Sequence, residues 1–186
     1  MTLPKFFLIV SFFSIQQIIS QGLFEGDNNY TLQDSLRGSI TKERAWWDLN
    51  FYHLNIKVYP EKKFIKVYNE IRYKVINPDS IMQIDLQPPL KITRITQNGD
   101  SLKYYNVGNA YYVKLKINQL PNKINSVKVY YEGNPKEAIR APWDGGLSWK
   151  KDNNGKHFVA TSCQGIGASI WWPNKDHMYD EVDSMK

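Results

Sequence analysis

From Phe51 onward, apolar and polar side chains trade places almost residue by residue. Tyr52, Leu54, Ile56 and Val58 fall on one face of an extended chain, with His53, Asn55 and Lys57 on the other. Ile65, Val67, Ile71, Tyr73 and Val75 repeat the pattern against Lys66, Tyr68, Glu70, Arg72 and Lys74. A period of two over such lengths predicts half-buried antiparallel strands at 51–59 and 64–76, joined through Pro60-Glu61-Lys62-Lys63. Asn77-Pro78-Asp79-Ser80 has the composition of a turn. Met82, Ile84 and Leu86 then predict a short strand that ends at Gln87-Pro88-Pro89.

The next segments read as a meander. Ile92–Gln97 runs into Asn98-Gly99, a pair that tolerates positive φ and so favours a tight hairpin. Ser101–Asn106 follows, then a turn at Val107-Gly108-Asn109 and an alternating run from Tyr111 to Ile117. Val127, Val129 and Tyr131 alternate after the break at Leu120-Pro121-Asn122. Residues 132–155 show no regular period and read as a long functional or partner-facing loop. His157–Ser162 returns to strand character. With no amphipathic helix before residue 165, the expected fold is all-β, an antiparallel twisted sandwich or saddle.

The front of the chain differs. One charge among Met1–Lys5, the apolar run Phe6–Ile19 and the small Ser20 describe a secretory signal peptide over residues 1–20. The run falls short of the ~20 apolar residues of a spanning helix, and Gln16 and Gln17 interrupt it. No membrane span is expected after cleavage, and the location expected is secreted or periplasmic. Residues 21–44 are polar and without period, a flexible lead-in, and 45–186 form the domain. The net charge of +6 becomes +5 once Lys5 is removed with the leader. Lys57, Lys66, Lys74, Lys103, Lys114, Lys116 and Lys128 fall singly between apolar neighbours, the pattern of a solvated sheet face, so no nucleic-acid partner is expected. With a single cysteine, Cys163, no internal disulfide holds the fold.

Candidate chemistry is sparse. The three histidines are His53, His157 and His177; none lies four residues from another, so the paired-histidine zinc motif is missing and no metal site is expected. His177, within Asp176-His177-Met178-Tyr179-Asp180, reads either as a metal ligand or as part of a solvated acidic loop. Cys163 reads as a nucleophile by residue type or as a buried thiol. Gln164 follows a strand and precedes a glycine turn. Its amide both accepts and donates, so it suits a peptide carbonyl and a free amine together, or the satisfaction of nearby backbone groups.

The run Cys163-Gln164-Gly165-Ile166-Gly167-Ala168-Ser169-Ile170-Trp171-Trp172-Pro173-Asn174-Lys175-Asp176 resembles a segment of the aminopeptidase N and leukotriene hydrolase family of zinc aminopeptidases, in a bacterial-type variant. Tyr52-His53-Leu54-Asn55-Ile56 after Trp46-Trp47-Asp48, Tyr130-Tyr131-Glu132-Gly133, and Gly145-Gly146-Leu147-Ser148-Trp149 resemble earlier motifs of that family in the same order. The resemblance implies an N-terminal β-saddle over 45–186, incomplete at its C-terminal end and so carrying unpaired strand edges. It implies that Gln164 lines a substrate cleft and contacts the N-terminal residue of a peptide, while Pro173 and Asp176 shape the segment; many relatives carry Arg in place of Ser169. It further implies a secreted metallo-aminopeptidase whose zinc, catalytic residues and catalytic domain lie outside this chain, with a peptide as substrate and the chain itself inactive alone. From a different class, a stand-alone β-sandwich module would bind glycans through Trp143, Trp149, Trp171 and Trp172, or a protein partner through the loop 132–155.

Overall fold

The computed structural model describes residues 30–116 and 118–186, so the signal-peptide expectation at 1–20, the start of the lead-in and Ile117 lie outside the described residues. The chain divides into two compact units, Met1–Leu32 and Gln33–Lys186. Of the first, only Tyr30–Leu32 is described, and Tyr30 and Leu32 are exposed. The second unit is all-β, as the alternation predicts. Among the described residues no helix is long and apolar enough to cross a membrane.

Among the described residues eleven strands form three sheets. The largest has six, in the order β11-β1-β2-β8-β4-β5, built from β1 (Trp47–Tyr59), β2 (Phe64–Val75), β4 (Lys91–Gln97), β5 (Asp100–Ser101), β8 (Ile124–Gly133) and β11 (Ser184–Met185). All of its pairs are antiparallel except β1 with β11. A three-stranded sheet orders β3 (Ile81–Asp85), β7 (Ala110–Lys114) and β6 (Lys103–Val107) as β3-β7-β6. A two-stranded ribbon pairs β9 (Gly146–Lys151) with β10 (His157–Ser162).

Strand β2 follows its alternation to the residue: Ile65, Val67, Ile71, Tyr73 and Val75 are buried while Lys66, Arg72 and Lys74 are exposed. Strand β1 starts four residues earlier than its pattern suggests. A bulge between Leu49 and Phe51 puts Asn50 out of register, so the buried set changes phase from Trp47 and Leu49 to Tyr52. Beyond it Ile56 and Val58 are exposed although their partners Val67 and Ile65 on β2 are buried, because β11 covers β1 only near Phe51 and Tyr52 and the rest of β1 is the edge of the sheet. The core gathers Trp46, Trp47, Ile71, Tyr73, Val127 and Val129 from one side against Met82, Ile84 and Val113 from the other. Trp46 and Trp47 meet the Tyr73 ring edge-on at 5.7 and 5.8 Å, and Tyr73 donates its hydroxyl to Gln119 Oε1 at 2.8 Å. Each such large side chain contributes about 1.5–3 kcal/mol on burial.

The meander is corrected. Both hairpins form, but β4–β5 belongs to the large sheet and β6–β7 to the small one. Buried Leu102 is the single residue between them, its N–H bonded to Ile95 O at 2.9 Å. The loop 132–155 is also shorter than expected, because β9 pairs with β10.

The described part of the lead-in is ordered, against expectation. Helices α1 (Leu32–Gly38) and α2 (Lys42–Ala45) bring Arg44, fully buried, to Asp85 at the end of β3. Arg44 Nη2 donates to Asp85 Oδ2 at 2.6 Å, and Nη1 donates to Leu36 O at 2.6 Å and Ser39 O at 2.9 Å. The reason is polar: a segment with no apolar face is held by a buried cation, with Gln33, Arg37 and Thr41 adding further bonds to the domain. Leaving Asp85 buried without its cation costs about 3–5 kcal/mol. Arg44→Ala is therefore expected to lower unfolding stability in urea by that amount, whereas the joint replacement Arg44→Met with Asp85→Leu recovers only part of it, because Gln83, the Asp176 N–H and the Leu36 and Ser39 carbonyls lose their partners; a single variant with wild-type stability contradicts this account.

Candidate functional site

The segment Cys163–Val182 is the candidate site, and its course follows from its glycines and a few buried polar groups. After β10 the chain turns, with the Gly167 N–H bonded to Cys163 O at 3.0 Å. Gly167 has φ +79°, and a Cβ there would lie 2.5 Å from the Asp176 carboxylate oxygens. A side chain there would have to displace the Asp176 carboxylate, in a backbone conformation that favours glycine. Gly145, in the loop before β9, lies against Ile166, whose side chain occupies the place a Cβ would take, at 1.6 Å, and would have to move to admit one. Two motifs twenty residues apart in sequence therefore interlock beneath the turn that carries Gln164.

Ser169 is buried in a short 3-10 turn, Ala168–Ile170. Its hydroxyl donates to Asp176 Oδ2 at 2.6 Å and accepts from Gln87 Nε2 at 2.9 Å. An arginine does reach Asp176, but it comes from α1: Arg37 Nε lies 3.5 Å from Asp176 Oδ2, and Arg37 Nη1 donates to Gly165 O at 2.8 Å. Trp172 is buried edge-on against Tyr52 at 4.6 Å. Pro173 O accepts from the buried Asn69 Nδ2 at 2.9 Å, and Asn174 pairs by both backbone groups with Asp85. The Asp176 N–H donates to Asp85 Oδ2 at 3.2 Å, so the carboxylate that holds Arg44 also fixes this segment. Burial pushes the Asp85 carboxyl up, and Arg44, Gln83 and the Asp176 amide hold it back.

Lys175 is buried. Its ammonium donates to Trp47 O at 2.6 Å, forms a close ion pair with Asp180 and lies 4.2 Å from the centre of the Trp47 ring. Burial pulls it below its ordinary range, and Asp180 opposes that shift. The Lys175 N–H donates to Tyr52 Oη at 2.9 Å, and burial pushes the Tyr52 hydroxyl strongly up. Between α1 and residues 168–185 lies an open cleft of about 570 Å³, lined among others by Asp34, Arg37, Tyr52, Trp172, His177 and Met178.

Gln164 stands exposed at the tip of the turn, away from that cleft. Cys163 is half-buried, and burial pushes its thiol up, partly offset by a hydrogen bond with Trp171. It is thus a poor nucleophile at neutral pH. His177 stacks edge-on with Tyr179 at 4.5 Å, and burial pulls its pKa down. His53 packs against Tyr68, and His157 faces Glu61 at 3.2 Å, so the three histidines occupy three separate places. Among the described residues no three His, Cys, Asp or Glu side chains gather in a group that could hold a metal ion. Of the four tryptophans considered for sugar stacking, Trp143 is 77% exposed while Trp172 is buried and Trp149 and Trp171 pack against the core. Sequence reasoning missed Arg44, Asp85, Lys175 and Asn69; the first three are charged residues in segments that read as surface, whereas Asn69 falls on the apolar face of β2 and its parity could have marked it as buried.

Two outcomes are expected. Gly165→Ala, at φ +74° with nothing near its Cβ, costs about the 1–2 kcal/mol of a left-handed residue. Gly167→Ala adds the clash with Asp176, so its denaturation midpoint falls below that of Gly165→Ala; equal midpoints refute the close approach. Because the His177 pKa is lowered on folding, the unfolded chain binds more protons just below the ordinary value of 6.5. Stability is flat above that pH and declines as the pH falls from it towards the folded-state value. His177→Gln removes this decline, measured as the melting temperature between about pH 5 and pH 7.5.

No family model matches the chain, and no curated protein matches it. Solved structures do. The M1 zinc metallopeptidase from Deinococcus radiodurans matches with a TM-score of 0.55 at 18% identity, over 74% of this chain and 31% of its own. A mutant of that enzyme bound to a Tyr-Ser-Ala substrate matches at 0.56 and 18%, over 75% and 31%. Native yeast LTA4 hydrolase matches at 0.60 and 16%, over 88% of this chain and 25% of its own. The chain thus spans about a quarter to a third of the length of these proteins. Identities this low speak to fold alone, and on that ground the chain has the fold found within the M1 zinc metallopeptidase and LTA4 hydrolase structures.

Proposed function

We propose that this chain is the N-terminal domain of a secreted zinc aminopeptidase and that it contributes Gln164 to the wall of the peptide cleft. The observation that carries the reading is the interlock of Gly145 with Ile166, which brings the Gly145-Gly146-Leu147 motif and the Gln164 turn to one place in a fold shared with zinc peptidases. Support for a peptide substrate comes from the relative of the same fold that is bound to Tyr-Ser-Ala. Secretion belongs to the same reading and rests on residues 1–20. A zinc ion held by residues other than those described here would supply Lewis-acid chemistry in the whole enzyme. This chain's own part is binding: the Gln164 amide oxygen accepts from the free amino terminus while its NH2 group donates to a peptide carbonyl.

In the zinc-loaded whole protein, assayed on a tripeptide with a free amino terminus, Gln164→Ala is expected to lower kcat/KM about 10- to 100-fold, the loss of ~1.5–3 kcal/mol of hydrogen bonding to a charged group. The same variant leaves the unfolding midpoint unchanged, because the side chain is exposed. An unaltered kcat/KM removes Gln164 from the cleft.

A further inference from the structure

The lysines and arginines that fall singly along the sequence come together on the outward face of the large sheet. Register rows place Lys57 of β1 opposite Lys66 of β2, with Glu132 of β8 and Lys91 of β4 in the same row. The neighbouring row runs Asn55, Tyr68, Tyr130, Arg94, and the rows beyond carry Glu70 with Lys128, then Phe51 with Arg72. The acids are taken: Glu132 pairs with Lys66 at 3.0 Å and Glu70 with Lys128 at 3.9 Å. Lys57, Arg72 and Arg94 are different. All three are exposed, and among the described residues none forms an ion pair. Each instead rests over an aromatic ring: Lys57 over Tyr59 at 5.2 Å, Arg72 over Phe51 at 4.8 Å and Arg94 over Tyr130 at 4.2 Å. The rings hold the cations in place while leaving their charge uncancelled. Lys57 also faces Lys66 directly, and like charges opposite one another on a sheet repel.

We propose that this face binds an anionic polysaccharide, a chain of sugar rings bearing carboxylate or sulfate groups. Charge complementarity selects an anion. The geometry selects a polymer: three strand spacings separate Arg94 from Lys57, ~14 Å, and six residues of β2 separate Arg72 from Lys66, ~20 Å. One small anion cannot bridge them. A groove of about 530 Å³ is lined by Lys57, Lys66 and Arg94, and in it Asn55, Tyr68 and Tyr130 offer amide and hydroxyl groups to sugar hydroxyls. Single-stranded nucleic acid is disfavoured, because its bases stack on open aromatic faces. Here Tyr130 is covered by Arg94, and Tyr68 by Lys128 at 4.6 Å. The proposal stands apart from the peptidase reading in that it involves neither Gln164 nor the turn that carries it.

The test titrates the full chain with heparin, neutral dextran and oligo-dT. Heparin is expected to bind, with an affinity that falls as salt rises from about 50 to 200 mM. Dextran leaves the protein unbound, and oligo-dT binds at least tenfold more weakly. Replacing Lys57, Arg72 and Arg94 together by Gln weakens heparin binding about tenfold or more. Lys103→Gln with Lys114→Gln removes charge from the small sheet and leaves binding unchanged. Arg72→Gln and Arg94→Gln alone, each on an exposed position with the fold checked by circular dichroism, each weaken it severalfold. Absence of heparin binding, or equal losses from both sheets, overturns the proposal. Binding of oligo-dT as tight as heparin also overturns it and assigns the face to nucleic acid.

Discussion

The Asp85 carboxylate is the point on which the rest of the domain depends. It sits at the end of β3, and its two oxygens receive Arg44 from α2, Gln83 Nε2 at 3.0 Å from its own strand and the Asp176 amide from the C-terminal segment. Three regions distant in sequence therefore meet on one ion. A charge so deeply buried is stable only when every neighbour is in place. Arg44 is spent on backbone carbonyls of the lead-in as well as on Asp85, which makes the lead-in an ordered part of the domain. Lys175 with Asp180 repeats the device a few residues on, tying the same segment to Trp47.

Around the Gln164 turn, the described groups are held in place rather than made reactive. Cys163, His177 and Tyr52 are all moved by burial toward their neutral forms, so the segment around Gln164 is chemically quiet. What the segment offers is position. Gly145 and Gly167 allow two backbones to close on Ile166 and Asp176, and the exposed amide of Gln164 is presented on a turn fixed from below.

The legible parts of the fold were those where one strand has two different faces. Strand β2 alternates cleanly because one side meets the core and the other meets water. Legibility failed where a single residue changes the rules. Asn50 bulges and shifts the phase of β1; Leu102 hands the chain from one sheet to the other; Arg44 anchors helices that have no apolar stripe. Strand β9 went unseen because Leu147 and Trp149 alone make too short an alternation. The candidate site was legible only as a motif. Two of its supports, Asp85 and Lys175, look like surface residues until distant segments are paired, and the shared face of Lys57, Arg72 and Arg94 is hidden for the same reason.

The place of β8 has a consequence for how the protein is made. It lies between β2 and β4 in the large sheet, yet it is the last of those three to leave the ribosome. At ~5–20 residues per second, the stretch from Val75 to Ile124 takes roughly 2–10 s to emerge. Through that interval the inward side chains of β2 and β4 wait with an open hydrogen-bonding edge between them. Nascent chains stalled within this window are the species a chaperone would have to shield, and the closing of the sheet by β8 is the event that ends the exposure.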